Sequence, residues 1–320
     1  MLNAFRHIED RLTRLLPGES LADALWIDLV RPTDAETAAI VALGSEVPTL
    51  ADMEEIEISN RLYRHDGLDY MTVVLSGHSE SANPISGPIT FILSEHRLIT
   101  VRHHDSRPFE TYPERADKVG IGCGDANSLF LSLVEEIVGR LADLLESAGR
   151  GLDAVSRSVY EPGSTGLRQD RLELALQRVG REGELLGIIR LSLLTLGRAL
   201  GFYSQTATDR HGDEGLAATV ANLMRDINAL EVHTDFLGTR VALTSDATLG
   251  MINLLQNATV RIVSVVAALF MPPTLIASVY GMNFATMPEL GYRFGYPAAV
   301  GLMVFSSVAA WVFFKWKRWL

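Results

Sequence analysis

The feature that most limits how this chain can fold is a pair of uncharged apolar runs near its C-terminus. Residues 262–279 read IVSVVAALFMPPTLIASV, 18 residues without a charge. As a helix this run approaches the thickness of a bilayer's hydrocarbon core, about 30 Å. Residues 296–314, YPAAVGLMVFSSVAAWVFF, form a second such run. Two of them separated by a short loop read as a transmembrane hairpin, not as the interior of a water-soluble domain.

Basic residues orient the hairpin. Arg261 precedes the first run, and Lys315, Lys317 and Arg318 follow the second, whereas the loop holds only Arg293 and Glu289. The bias predicts cytoplasmic termini and an outward-facing loop. Tyr280, Phe284, Tyr292, Phe294 and Tyr296 on one side, and Trp311, Trp316 and Trp319 on the other, supply interfacial belts.

The rest of the chain differs in charge. Residues 259–320 carry five basic residues and one acid, net +4, so residues 1–258 hold −15 against a whole-chain total of −11. Such a body repels nucleic acid and attracts cations, divalent ones most strongly, although surplus acids also simply keep a domain soluble. The single cysteine, Cys123, allows no disulfide within the chain and reads as inert. The opening MLNAFRHIEDRLTRLL has an amphipathic pattern and no signal-peptide layout, so it is expected to form an ordinary helix.

Three regions are expected. Residues 1–124 form an α/β domain, a mixed sheet flanked by helices. LWIDLV, EEIEISNRLYRH, LDYMTVVLS and ITFILSEHRLITVRHH read as strands, and PTDAETAAIVAL as a helix start. Residues 125–258 are helical, with a break at EPGSTG, residues 161–166. From about Gly215 no proline interrupts the pattern before the first apolar run, which predicts a long stalk helix continuing into the membrane. Residues 259–320 form the two-helix membrane domain, with its loop at 280–295.

Stepping by three or four along the first run picks out Asn257, Val260, Ser264, Ala267, Met271, Thr274 and Ser278 on one face, small or polar, while Ile262, Val265, Val266, Leu269, Phe270 and Leu275 lie elsewhere. The stripe alone fits either close helix packing or a pore wall. Pro272 and Pro273 deprive the carbonyls of Ala268 and Leu269 of helical donors. A two-helix hairpin cannot enclose a water path by itself, so a pore requires several copies around an axis.

The loop reads YGMNFATMPEL. Gly281-Met282-Asn283 followed by MPEL, flanked by MPPTLIASVYGMNF, then FGYP and a basic, Trp-containing tail ending in WL, resembles the CorA family of magnesium channels over roughly the last 75 residues. DATLGMINLLQN resembles the proteobacterial branch. The resemblance implies a homopentamer in the bacterial inner membrane, with lipid and divalent cations as its other partners. It implies Mg2+ as both the transported and the regulatory ion, Co2+ or Ni2+ as passengers, no organic cofactor and no enzymatic activity. Asn283 of each subunit would ring the outer mouth and hold the ion through its hydration waters, and Glu289 would concentrate cations outside. Amide oxygens suit an ion that dehydrates reluctantly. The family's pore-lining positions fall on Asn257, Val260, Val263, Ala267, Met271, Thr274 and Asn283; Met271 and Val263 would be apolar constrictions. Ser278 stands where some relatives have Gly, and Val260 and Val263 where some have Met or Leu. Cytoplasmic Mg2+ bound between acids of neighbouring subunits would close the pore. Asp226, Glu231, Asp235 and Asp246 are the stalk acids available for this, though helix surfaces carry such acids routinely.

Two alternatives stand beside this reading. One is a zinc transporter of the same superfamily, for which His103, His104 and Asp105 would be a softer-metal hint; a His pair at a strand end reads more simply as surface. The other is a membrane-tethered enzyme or sensor, although the chain has no G-x-x-x-x-G-K-[ST], G-x-S-x-G or H-E-x-x-H motif.

Overall fold

The structure is a computed structural model that describes residues 1–9, 11–16, 18–55, 57, 61–78, 84–118, 121–160, 168–208, 214–282, 288–291, 293–317 and 319. The chain divides into two compact units: residues 1–157 with 177–244, and residues 158–176 with 245–320.

The first unit is built on a seven-stranded sheet. Its strands are β1 (Leu2–Ile8), β2 (Arg11–Arg14), β3 (Trp26–Val30), β4 (Leu62–His65), β5 (Leu68–His78), β6 (Pro84–Leu93) and β7 (Leu98–Arg102). Their order is β2-β1-β3-β7-β6-β5-β4, with β3 and β7 parallel and every other neighbouring pair antiparallel.

Strand alternation divides the buried side chains between two layers. Ile27, Leu29, Tyr70, Ile92, Ile99 and Val101 pack with Ile40 of α1 (Asp34–Val41) and Met53 of α2 (Leu50–Glu54). Trp26, Met71, Val73, Phe91 and Leu98 join the larger core on the other face. That core receives Phe109 of α3 (Arg107–Thr111) and apolar stripes of three long helices, α4 (Ala126–Tyr160), α5 (Arg168–Thr208) and α6 (Glu214–Tyr280). Helix α1 starts where Pro-Thr predicts. Thr33 caps the Glu36 amide while the Glu36 carboxylate accepts from the Thr33 amide at 2.9 Å, a reciprocal capping box.

The N-terminal expectation is overturned. Leu2–Ile8 and Arg11–Arg14 pair as the antiparallel β1–β2 hairpin, not a helix, and Glu9 after β1 has a positive φ of 48°. Pairing with β3 from Leu2↔Leu29 to Phe5↔Trp26 satisfies the backbone, and the Phe5 ring stacks on Trp26 with centroids 5.0 Å apart. An apolar pattern in so short a run fits either period, and the unpaired edge of β3 decides between them. The stretch EEIEISNRLYRH is corrected in part: Glu54 closes α2, and among its described residues Leu62–His65 are the strand, while residues 56 and 58–60 lie outside the described part.

Beneath Trp26 lies a buried polar network. Asp28 accepts from the Arg102 guanidinium at 3.0 Å and from the Thr100 hydroxyl at 2.8 Å, and the Trp26 indole donates to that hydroxyl at 3.1 Å. Arg102 also lies over the Phe109 ring.

In the second unit, α6 ends at Tyr280 and α7 (Gly295–Trp316) follows. Among the described residues three helices hold a window apolar enough to cross a membrane. In α5, 44% of that window is buried inside the protein, which marks a core helix; in α6 and α7 only 6% is.

Candidate functional site

The membrane ends of α6 and α7 form a hairpin with one clear anchor. Pro272 and Pro273 sit inside α6 without breaking it. The carbonyl of Leu269, which Pro273 cannot reach with an N–H, accepts the Ser307 hydroxyl of α7 at 3.3 Å. Polar backbone at membrane depth is tolerated where such a neighbour meets it.

The anchor sets the register of the hairpin. Eight residues along α6 from Leu269 is Arg261, and eight along α7 from Ser307 is Lys315. Eleven residues the other way lie Tyr280 and Tyr296. The cations therefore share one level and the tyrosines another, separated by about 28 Å at 1.5 Å per residue, close to the hydrocarbon thickness. Helix length and belt residues agree on where a bilayer would lie.

Burial assigns the faces of α6 in this unit. Val265 is buried, and Leu269, Pro272, Pro273 and Ile276 are partly covered. Gly295, Ala299, Met303, Ser306, Ser307, Ala310 and Phe314 are the covered positions of α7. Asn257, Val260, Val263, Ser264, Ala267, Met271, Thr274 and Ser278 are all exposed and centred on the side of α6 away from the covered one. The Thr274 hydroxyl folds back onto the Phe270 carbonyl at 2.7 Å, which leaves that face smooth. So the small and polar stripe is not the surface on which α6 meets α7. Close packing within the hairpin does not account for it.

At the outer end, the Gly281 amide donates to the Ala277 carbonyl at 2.9 Å. A Cβ at Gly281 would stand 3.1 Å from that same oxygen, so glycine here serves close approach at the helix terminus. Met282 is exposed. Asn283 lies outside the described residues. Glu289 falls in the 3-10 turn Pro288–Gly291, and its side chain lies outside the described part.

The four stalk acids are not gathered into one site. Asp235 pairs with Arg190 of α5 at 3.2 Å, beside a groove lined by Gly183, Gly187, Thr234 and Gly238. Asp226 faces Glu135 of α4, whose carboxyl is raised by burial first and then by Asp226 and Glu136. Glu231 is partly covered and Asp246 exposed. Among the described residues no three His, Cys, Asp or Glu side chains are placed to share a metal ion. The Glu135–Asp226 proximity escaped sequence reading, because the two acids are 91 positions apart on different helices.

The histidine pair is also corrected. His104 is only 2% exposed, not a surface residue. Its ring lies over Gly77 of β5 and Gly87 of β6, where added Cβ atoms would collide with it. Burial first, then the Arg102 guanidinium, push its pKa down to about 4. His103 is also lowered, by burial and then Arg31. The glycines in LSGH and ISGP were the available signal for this slot.

Residues 22–318 match the family model described as CorA-like Mg2+ transporter protein. The chain is 36% identical over 326 residues to the magnesium transport protein CorA of Yersinia pseudotuberculosis, covering 100% of both. Among solved structures, the complete CorA magnesium transporter of Methanocaldococcus jannaschii superposes with a TM-score of 0.72 at 17% identity, over 100% of this chain and 99% of that one. The cytoplasmic domain of ZntB from Vibrio parahaemolyticus shares the fold of 78% of the chain, 96% of its own, with a TM-score of 0.54 at 14% identity. The chain belongs to the CorA-like Mg2+ transporter family: it is a membrane transporter and not an enzyme.

Proposed function

We propose that copies of this chain, five by the resemblance in the loop, assemble around an axis lined by the exposed stripe of α6 and admit Mg2+ down an inside-negative potential. The observation that carries the reading is the placement of Val260, Val263, Ala267, Met271, Thr274 and Ser278 on the side of α6 turned from α7. Val266 and Phe270 are exposed beside that stripe. A second apolar stripe supports assembly. Val232, Phe236 and Leu243 are exposed on the first unit's part of α6, opposite the buried Ile227, Thr234 and Leu237. An unpartnered apolar row on a helix is the expected mark of a subunit contact.

In this reading Asn283 rings the outer mouth and binds a still-hydrated ion, Glu289 raises the local cation concentration, and Met271 and Val263 narrow the path. Both termini face the cytoplasm of a bacterial inner membrane. An inside-negative potential contributes about 2.3 kcal/mol per charge per 100 mV, twice that for a divalent ion, so no energy source is needed. Cytoplasmic Mg2+ held between subunits, with Asp226, Glu231, Asp235 and Asp246 as candidate ligands, closes the pore. The 36% identity to a magnesium transport protein favours Mg2+ over the zinc alternative, with Co2+ or Ni2+ as passengers. The test is Mg2+ loading of liposomes under an imposed potential. Asn283→Ala abolishes uptake in this reading; normal uptake by that variant removes the loop from ion selection.

A further inference from the structure

The hairpin ends in cations for which its own stretch of chain supplies almost no acid. From Ala247 to Leu320 the sequence contains one acidic side chain, Glu289, in the connection at the opposite end of the hairpin. Arg261 and Lys315 lie at one level, and Lys317 follows two residues on. Among the described residues none of the three makes an ion pair.

The two lysines are held by aromatic rings. The Lys315 ammonium lies 4.6 Å from the centroid of Trp311, one turn back on α7, and the Lys317 ammonium 5.7 Å from that of Trp316. A cation over an indole keeps its remaining N–H donors turned outward. Below Lys315, Val304, Val308 and Trp311 follow at i, i+4 and i+7 and are exposed, on the side of α7 away from Ala299 and Met303. An apolar strip therefore runs directly up to the oriented Lys315 ammonium, with Lys317 at the same end of the helix.

We propose that this end of the hairpin binds an anionic phospholipid, with Lys315 on the headgroup phosphate, Lys317 adding positive potential at the same level, and one acyl chain along Val304, Val308 and Trp311. A soluble anion would use the ammoniums and leave the strip uncovered; a phospholipid meets both. The proposal rests on the reading of α7 as a membrane span.

The test uses the purified full-length protein in symmetric vesicles, with tryptophan quenching by brominated phosphatidylglycerol compared with brominated phosphatidylcholine. Trp26 is fully buried, so the C-terminal tryptophans carry the signal. The anionic lipid is preferred about fivefold per cation at low ionic strength, and the preference fades in high salt. It disappears in the Lys315→Gln/Lys317→Gln double variant and survives in Lys315→Arg/Lys317→Arg. Equal quenching by the two lipids in the wild type overturns the proposal, as does a preference unchanged in the Gln variant or displaced by millimolar glycerol phosphate. Because the readout depends neither on transport nor on insertion direction, Mg2+ uptake by the same vesicles is scored separately. Lost lipid preference with normal uptake ends this proposal alone; absent uptake with intact preference counts against the channel.

Discussion

Ser307 of α7 donates to the carbonyl oxygen of Leu269 at 3.3 Å, and that oxygen is the one whose helical donor Pro273 has removed. One bond thus answers a backbone defect, fixes the register of two helices and aligns Arg261 with Lys315 and Tyr280 with Tyr296.

The first prediction isolates that bond. Ser307→Ala destabilises the hairpin by on the order of 1 kcal/mol, the scale of a net hydrogen bond in water or membrane. Pro273→Ala returns an N–H to the helix, so Ser307→Ala in that background costs much less. Both are read from denaturant unfolding of the detergent-solubilised protein, as a double-mutant cycle. Equal cost in the two backgrounds shows that the serine is not compensating the proline.

A second prediction separates the faces of α6. Cysteines placed at Ala267, Thr274 and Ser278 react with membrane-impermeant thiol reagents, whereas cysteines at Ile262, Val266 and Phe270 do not. Native Cys123 is buried and gives little background. Labelling of Phe270→Cys as fast as Thr274→Cys places the water path elsewhere.

Much of this was legible in the sequence, for physical reasons. Two charge-free runs of bilayer length have few alternatives, and prolines that would break an ordinary helix pointed to carbonyls needing a neighbour. The central strands announced themselves through β-branched runs such as MTVVL and LITV. The N-terminal hairpin did not, because its conformation is decided by β3, some twenty residues away. Nor did the burial of His104, which depends on two glycines on neighbouring strands. Helix α5 is apolar enough to span a membrane, and only packing against the sheet and its sister helices marks it as core.

The third prediction concerns the pair beneath Trp26. Asp28 and Arg102 are both nearly fully buried and joined at 3.0 Å. Asp28→Asn leaves the guanidinium facing a neutral amide, and Asp28→Ala leaves it only the more distant Asp105 carboxylate, 3.8 Å away, as a counter-charge. The alanine variant loses about 3–5 kcal/mol of stability in chemical unfolding. An Asp28→Leu/Arg102→Met double variant recovers most of that loss, since removing both charges spares the cost of stranding one. A double variant no more stable than the alanine single shows that the network does more than neutralise a buried cation.

The last prediction follows from His104. Its pKa of about 4 in the folded protein lies below the 6.5 of an unperturbed imidazole, because burial and then Arg102 oppose a second positive charge, with Asp105 pulling the other way. The folded state therefore binds fewer protons than the unfolded chain below pH 6.5. Stability from this group is intact above pH 6.5, falls as the pH drops towards 4, and levels off beneath that. The full loss is on the order of 3 kcal/mol. His103, lowered for similar reasons, adds in the same direction. Replacing His104 by Gln removes most of the slope between pH 6.5 and 4 in guanidinium titrations, because glutamine takes no proton. The packing that holds the ring is tested by Gly87→Ala, whose Cβ would meet the imidazole at 2.7 Å, and by Gly77→Ala, whose Cβ would fall on the Asp105 carbonyl. Each costs about 1–3 kcal/mol through overpacking. Pairing Gly87→Ala with His104→Ala relieves that strain, whereas Gly77→Ala remains costly because backbone, not a side chain, is in the way. Were the acid-side slope unchanged in His104→Gln, the protons taken up on unfolding would belong to other groups.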